Sequence, residues 1–580
     1  MAKNMVYFGY TMQKKWVIAD PISKEFRNKF PEIHPVILQL LHNRGMRTQE
    51  QIDEFMNPDW GEDIHDPFLF RDMRKAVDRI RLAIWKGESI VVYGDYDADG
   101  VSASAILFEA LTALGAKDVH VHLPHRETEG YGLNIPAVKE LIKRKANVII
   151  TCDCGTSNWE EVAVASKAGI DVIVTDHHHE PNQMPTPFAF LNPQLSKETY
   201  PFKHLAGGGV AFKLIQGLAA EDRKKEKKLS EGFEKWLLDL VAISTVTDMM
   251  PLVGENRTLV HYGLVVLRKT KRIGLQALMK TARGRLEDID THTIGFQIGP
   301  RLNAAGRMDH ANTAFELLIE RSSEVAAEIA EKLDTKNRER QRLSETMVKE
   351  AEKQLVGSDE RILIVQGKEW PVGVIGLVAG RLSDRYHRPA FALGEKGNDI
   401  VGSGRSVPSF DITGALAANS DLFSRYGGHT QACGFTMPKK HLKAFHAAFK
   451  KLGRKIPSKD LIPTEYADAE IGLDDVNWKL YEVAEKFEPF GENNPFPRFV
   501  ARGVEIVECQ KVGKDGKHLR LQVRHASDLV RKVIAFGFSG HEALTAGAKF
   551  DMMFEVSVNE WNGNRELQLK LVDARKATHS

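Results

Sequence analysis

The rhythm of apolar and polar positions is most regular between residues 89 and 175, where four short β-branched runs recur: Ser89–Tyr93, Asp118–Leu123, Asn147–Cys152 and Asp171–Thr175. The gaps between them carry helical spacing over Val101–Gly115, Ile135–Ala146 and Trp159–Gly169, each closing on Gly or a turn-like break. Strands alternating with helices of this length predict βαβ units and a parallel sheet with helices on both faces. Such sheets bind ligands beyond the carboxyl ends of their strands, so the residue after each strand is the one to inspect.

Farther along, Glu316–Gln354 reads as one or two long charged helices with an apolar stripe through Ala326, Ile329, Ala330, Leu333, Leu343 and Met347. A rigid connector between two lobes and an ordinary packed helix pair both fit that pattern. A second α/β pattern opens with a strand at Ile362–Val365 and a helix at Val374–Asp384, and runs to about Lys459. Residues Arg498–Ala574 alternate in short strands, with hairpin signals at Lys514-Asp515-Gly516 and Asn562-Gly563-Asn564. Evenly spaced short strands suit a small β-barrel such as an OB-fold. The expected organisation is an N-terminal segment (1–75), a parallel-sheet domain (76–315), connecting helices (316–357), a second α/β domain (358–460) and a barrel-like domain (461–580).

Composition narrows the class. The chain has 580 residues, 42% of them hydrophobic, which excludes wholesale disorder and requires more than one domain. No stretch reaches the ~18 apolar residues of a membrane span, and the N-terminus shows no basic region followed by an apolar core. Four cysteines cannot frame a chain of this length with disulfides, so a cytoplasmic, multidomain protein with structural thiols is expected. Net charge is +2, but residues 361–460 carry +9 while residues 461–500 carry −6. The basic block fits a phosphate-backbone surface or, equally, a solvated lysine-rich helix over Lys439–Lys455.

The strand ends carry the chemistry. The first run ends in Asp95-Tyr96-Asp97-Ala98-Asp99-Gly100, three carboxylates in five residues. Crowded acids resist ionising unless a cation relieves them, and oxygen ligands favour a hard ion such as Mg²⁺ or Mn²⁺. An EF-hand calcium loop is excluded, because Ile106 stands where that loop needs a bidentate Glu. The third run ends in Cys152-Asp153-Cys154-Gly155, whose Cys spacing is too short for a zinc knuckle. The fourth ends in Asp176-His177-His178-His179. Parallel strands bring these tips to one edge, and Asp248, closing the apolar run Leu237–Val246, is a further plausible ligand. Asp95, Asp97, Asp99, Asp153 and Asp248, five carboxylates, plus imidazole exceed the needs of one ion. They argue for two, ~3.5–4 Å apart, the arrangement that activates water in phosphodiester hydrolysis.

Asp-Tyr-Asp-Ala-Asp-Gly, Cys-Asp-Cys-Gly, Asp-His-His and Thr-Asp-Met-Met-Pro-Leu resemble, in order and spacing, the four motifs of the DHH phosphoesterases. Ile298-Gly299-Pro300-Arg301-Leu302-Asn303-Ala304-Ala305-Gly306-Arg307-Met308 resembles the signature of that family's bacterial single-strand-specific exonuclease branch. Gly402–Ser406 and Tyr426–Gly434 look like its DHH-associated domain, and the barrel falls where that branch has an OB-fold. The resemblance spans about residues 35–575. It implies that Asp95, Asp97, Asp99, Asp153, His177 and Asp248 bind two divalent cations, Mn²⁺ or Mg²⁺, with Asp153 as the bridge. His178 is implied near the scissile phosphate, with Asp176 orienting the histidine pair; His179 receives no role. Many relatives begin the first motif with His where this chain has Asp95, a swap usual in the exonuclease branch.

Arg301, Asn303 and Arg307 offer forked donors for phosphate. Gly404, Arg405 and Ser406, facing Gly427, Gly428 and His429, form two further anion-binding segments inside the basic block. Gly207-Gly208-Gly209 is read either as a phosphate cradle or as a tight packing turn. In the barrel, Phe536, Phe538 and Trp561 are available for base stacking beside Lys511, Lys514, Lys517, Arg520 and Arg524. The resemblance implies a single-stranded-DNA exonuclease of repair and recombination, working from the 5′ end, with single-stranded-DNA-binding protein and a recombination helicase as partners. A DHH phosphodiesterase of short oligonucleotides or cyclic dinucleotides, and a non-catalytic DNA-binding scaffold, are the rival readings.

Overall fold

The computed structural model describes residues 14–561 and 563–577. Strands β1 (Ile90–Tyr93), β2 (Val119–His122), β3 (Val148–Cys152), β4 (Asp171–Thr175) and β5 (Ala189–Leu191) form an all-parallel sheet in the order β2-β1-β3-β4-β5. Every residue of β1 and β3 is buried, as a parallel sheet covered on both faces requires. The sequence does not signal β5, because three residues are too few to show a period. Helices α1 (Ala98–Ala113), α2 (Ile135–Lys143), α3 (Trp159–Lys167) and α4 (Gly207–Lys225) pack on the sheet, and α5 (Leu238–Thr247) packs on α1 and α4. Helix α1 begins three residues before the expected Val101, since Asp97 caps it by accepting from the Asp99 and Gly100 amides at 3.0 and 3.1 Å.

Helix α6 (Gly299–Met308) leads by way of a short helix at Asn312–Ile319 into α7 (Ser323–Leu355). The expected connector is thus one continuous helix of 33 residues, about 50 Å long at the usual rise. Its Ala326, Ala330 and Leu333 lie in the first domain's core, and its Met347, Val348 and Ala351 in a core of the second. One rod shared by two cores holds the lobes in fixed relation.

The second domain contains β6 (Leu363–Gly367), α8 (Val372–Tyr386), β7 (Ala390–Lys396), β8 (Asp399–Arg405), β9 (Arg425–His429) and β10 (Ala432–Pro438). Its sheet runs β9-β10-β8-β7-β6, parallel only between β6 and β7, and leaves β9 as a fully exposed edge. A closed five-stranded barrel follows: β11 (Phe499–Val512), β12 (His518–Arg524), β13 (Val530–Ala535), β14 (Lys549–Trp561) and β15 (Asn564–Lys576), ordered β11-β12-β13-β15-β14 with β14 returning to β11. This is the OB-like architecture expected, although three of its strands run 13 or 14 residues instead of being short. Bulges at Ile506/Glu508, Ala501/Val504 and Met553/Phe554 let such long strands bend around the barrel. Lys514-Asp515-Gly516 joins β11 to β12; of the second hairpin, Asn562 lies outside the described residues.

The N-terminal segment folds onto the C-terminal barrel. Leu38, Leu41 and Phe55 share a core with Phe487, Phe499 and Phe550, and Lys15–Ile18 pairs in parallel with Thr464–Ala467. No described helix is long and apolar enough to cross a membrane.

Candidate metal centre

Strand register builds the site. Tyr93 of β1 lies level with Thr151 of β3, and Thr151 with Val174 of β4. Two residues beyond each stand Asp95, Asp153 and Asp176, so three acids leave the sheet at one height. The first loop folds back tightly: a Cβ on Gly100 would stand 2.6 Å from the Asp95 amide nitrogen. Asn303 of α6 pins the same loop by accepting from the Ala98 amide at 2.8 Å.

Asp99 receives three donors, the Gly207 and Gly208 amides at 2.8 Å each and the Ser244 hydroxyl at 2.6 Å. The Gly207-Gly208-Gly209 run therefore grips a carboxylate of the site instead of a phosphate. It also passes so close to β3 that a Cβ on Gly207 would stand 2.6 Å from the Asp153 Cβ. Asp153 itself adopts a left-handed backbone (φ +59°), which turns its carboxylate toward the other tips.

His177 sits at the centre. Its Nε2 is 3.0 Å from Asp153 Oδ1, 3.7 Å from Asp99 Oδ2 and 3.6 Å from Asp248 Oδ2. His178 Nδ1 pairs with Asp176 Oδ1 at 2.8 Å, while Asp176 also accepts from the Thr156 and His177 amides at 2.8 and 2.7 Å. Ligand atoms gather in three groups: Asp95, Asp97 and Asp153; Asp99, His177 and Asp248; and Asp153, Asp176, His177 and His178. All eight acid and imidazole side chains expected at the first domain's edge are brought together.

The electrostatics are those of a cation cage. Burial, then the nearest neighbouring acid, raises the carboxyls of Asp95, Asp97, Asp153 and Asp248 above the usual range. Burial works the same way on Asp176, but the charge and hydrogen bond of His178 outweigh it and hold Asp176 well below that range. Burial would lower His178 too, yet Asp176 raises it to about 9. Burial and the charge of His178 lower His177, leaving a neutral imidazole. Asp95 Oδ1 is buried with no hydrogen-bond partner among the described residues. A crowded oxygen set, one neutral imidazole and an orphaned carboxylate oxygen fit hard divalent ions.

The expected anion contacts divide. The Arg301 fork meets Asp334 of α7, with Nε 3.0 Å and Nη2 2.8 Å from its Oδ1, and Nη1 donates to the Gln297 carbonyl at 2.7 Å. Gly404 faces inward against Ile412, Cys433 and Phe391, and the Ser406 hydroxyl donates to the Phe410 carbonyl at 2.6 Å. Arg307 and Arg405 remain. Arg307 is lowered to about 9 by burial and by neighbouring Arg126, Arg340 and Arg405, against a pull from Asp97. Arg405 is lowered by burial and also senses Arg126. Cations so crowded mark a place for an anion.

Sequence reasoning missed Arg126, which lies 4.7 Å over the Tyr96 ring. It lies on the loop that follows β2. Tyr131, on the same loop, was missed too; its hydroxyl donates to the Asp153 carbonyl at 3.1 Å and lies 3.0 Å from His178 Nδ1. The edge strand β9 faces this region: Gly427 has open space around it, and the His429 ring lies 6.2 Å from that of His179. All four cysteines are free thiols. In the barrel, Phe536 is exposed, Phe538 packs on the core, and the Trp561 side chain lies outside the described residues.

The DHH family N-terminal domain matches residues 89–245, the DHHA1 domain residues 359–455 and the RecJ OB domain residues 467–573. Fold and acidic edge together define a DHH-family protein. The single-stranded-DNA-specific exonuclease RecJ of Bacillus subtilis is 34% identical over 570 residues, covering 97% of this chain and 70% of the relative. That of Haemophilus influenzae is 31% identical over 557 residues, covering 93% and 96%. The crystal structure of RecJ in complex with Mn²⁺ from Thermus thermophilus is similar at a TM-score of 0.83 and 28% identity, covering 97% of this chain and 79% of that one. The chain belongs to the RecJ family.

Proposed function

We propose that this protein is a divalent-cation-dependent exonuclease that degrades single-stranded DNA from the 5′ end, in the cytoplasm, during repair and recombination. The observation that carries the reading is the convergence of Asp95, Asp97, Asp99, Asp153, His177 and Asp248 on one sheet edge beside an arginine cluster. The names of its relatives, single-stranded-DNA-specific exonucleases, support the substrate. Asp95, Asp97 and Asp153 would hold one Mn²⁺ or Mg²⁺, and Asp99, His177 and Asp248 a second. Asp153, which also faces His177, fits the place between them. Cations bound there lower the pKa of water and neutralise charge on the phosphate during in-line hydrolysis.

The chain's own groups do the rest. His178, which Asp176 raises in the cation-free protein, pairs through Nδ1 with Asp176 at 2.8 Å and leaves Nε2 for a phosphate oxygen. Arg126, Arg307 and Arg405 hold the strand's phosphates, with the β9 amides and His429 opposite. The barrel grips the strand farther along, and single-stranded-DNA-binding protein and a recombination helicase are the partners this role requires. Incubating end-labelled single strands, duplexes and dinucleotides with Mn²⁺ tests the reading: single strands should be consumed first, from the 5′ end. Preference for duplex or dinucleotide would overturn it.

The raised carboxyls give a pH signature. Without cations, the folded protein binds more protons than the unfolded chain just above the normal carboxylate range, so its stability falls as pH rises there. Cation binding must then expel protons. Mn²⁺ affinity is expected to weaken as pH falls toward the normal carboxylate range. Calorimetry in buffers of different ionisation enthalpy reads the released protons; a heat independent of buffer would contradict the assignment.

A further inference from the structure

We propose that the loop 487–494, which belongs in sequence to the C-terminal unit, is the positioning element for Asp248. The proposal rests on the reading of Asp248 as a cation ligand. Asp97, Asp99 and Asp176 are each fixed by backbone amides. Among the described residues no amide reaches the Asp248 carboxylate, whose close polar neighbour is His177 at 3.6 Å. Asp248 caps α5, its amide donating to the Ser244 carbonyl at 3.0 Å; the chain turns back on the helix through Met249 (φ +55°), with the Met250 amide on the Thr245 carbonyl at 3.0 Å, and leaves by Pro251 and Leu252.

The far end of this turn, at Leu252, is held from outside the first domain. The Leu252 amide donates to the Glu492 carbonyl at 2.9 Å, and the Thr291 hydroxyl to the Phe490 carbonyl at 2.6 Å. The Leu252 side chain, 2% exposed, lies so close under Gly491 that a Cβ there would stand 2.6 Å from Leu252 Cδ1. One helix turn on, Arg257 donates to the Phe487 carbonyl at 2.7 Å, the Lys486 carbonyl at 3.0 Å and the Phe55 carbonyl at 2.9 Å. The loop is itself rigid. Buried Asn494 donates to the Phe487 and Pro489 carbonyls at 2.8 and 2.9 Å and accepts from Arg44 Nε at 2.8 Å. The barrel unit thereby braces the turn that follows Asp248, a member of the Asp99–His177–Asp248 group and not of the Asp95–Asp97–Asp153 group. Displacing the loop moves one cation subsite and spares the other.

The test uses the full chain and Mn²⁺ alone, titrated by calorimetry. Gly491→Val should weaken one of two binding steps about tenfold, the effect typical of groups that orient a ligand, and leave the other step unchanged. With DNA, kcat should fall while KM stays. Adding Leu252→Ala to Gly491→Val, which makes room for the new side chain, should restore both. Arg257→Lys, which keeps the charge but withdraws the fork from the Phe487 and Lys486 carbonyls, should reproduce the single-step loss with the loop's own sequence unchanged. Unchanged steps in both Gly491→Val and Arg257→Lys, equal loss of both steps, or no rescue in the double variant would overturn the proposal. A wild-type chain that binds fewer than two Mn²⁺ would instead overturn the cation reading beneath it.

Discussion

Asp153→Asn is expected to lower kcat on single-stranded DNA by about 10³-fold or more while the protein stays folded. Asn fills the same volume, and it is among the few residues that tolerate the left-handed backbone found at Asp153 (φ +59°). The substitution therefore removes charge and little else. Asp153 belongs to two of the three ligand groups and lies 3.0 Å from His177, so one change should cost affinity at both cation subsites. The cation-free protein should respond in the opposite sense. Its acids repel one another, and removing one should leave its melting temperature unchanged or raised. Activity within about tenfold of wild type, or a collapsed melting curve, would defeat the assignment.

Arg307→Met should weaken single-strand binding by tenfold to about a hundredfold, with a salt slope shallower by about one charge. The argument is again one of opposed signs. Arg307 sits among Arg126, Arg340 and Arg405 with only Asp97 in opposition, a site that costs stability until an anion enters. A methionine keeps the hydrophobic stem and relieves the repulsion, so Tm should hold or rise while affinity falls. Binding titrations at several salt concentrations, beside a melt of the free protein, check both halves. A lower Tm with unaltered affinity would make Arg307 a structural residue, as its bond to the Gly373 carbonyl at 3.2 Å would then suggest.

Much of the first domain was legible because local rules and burial agree there. β1, β3 and β4 are largely apolar and buried, and each is followed within two residues by an acid, so the run and its tip could be read together. The connecting helix was legible in kind but not in number. Its stripe shows which face is buried and cannot show that one rod serves two cores. Arg301 and Arg307 look alike in sequence, six residues apart on one helix, yet Arg301 meets Asp334 and Arg307 meets other cations. Gly207–Gly209 fits a phosphate cradle and a tight packing turn alike, because a glycine run shows that something comes close without saying what; here it is the Asp99 carboxylate.

By itself the sequence determined which side chains crowd the strand tips, because a strand's period and a helix's period are written in consecutive residues. It determined too that so many acids in so short a span call for a counter-charge. Only the tertiary structure decided that Tyr93, Thr151 and Val174 share one level, so that their acids meet. Only it decided that the chain's first helices and last barrel fold together against the loop after Asp248. Such contacts join residues hundreds of positions apart through carbonyls and amides, which every residue carries and no local pattern distinguishes.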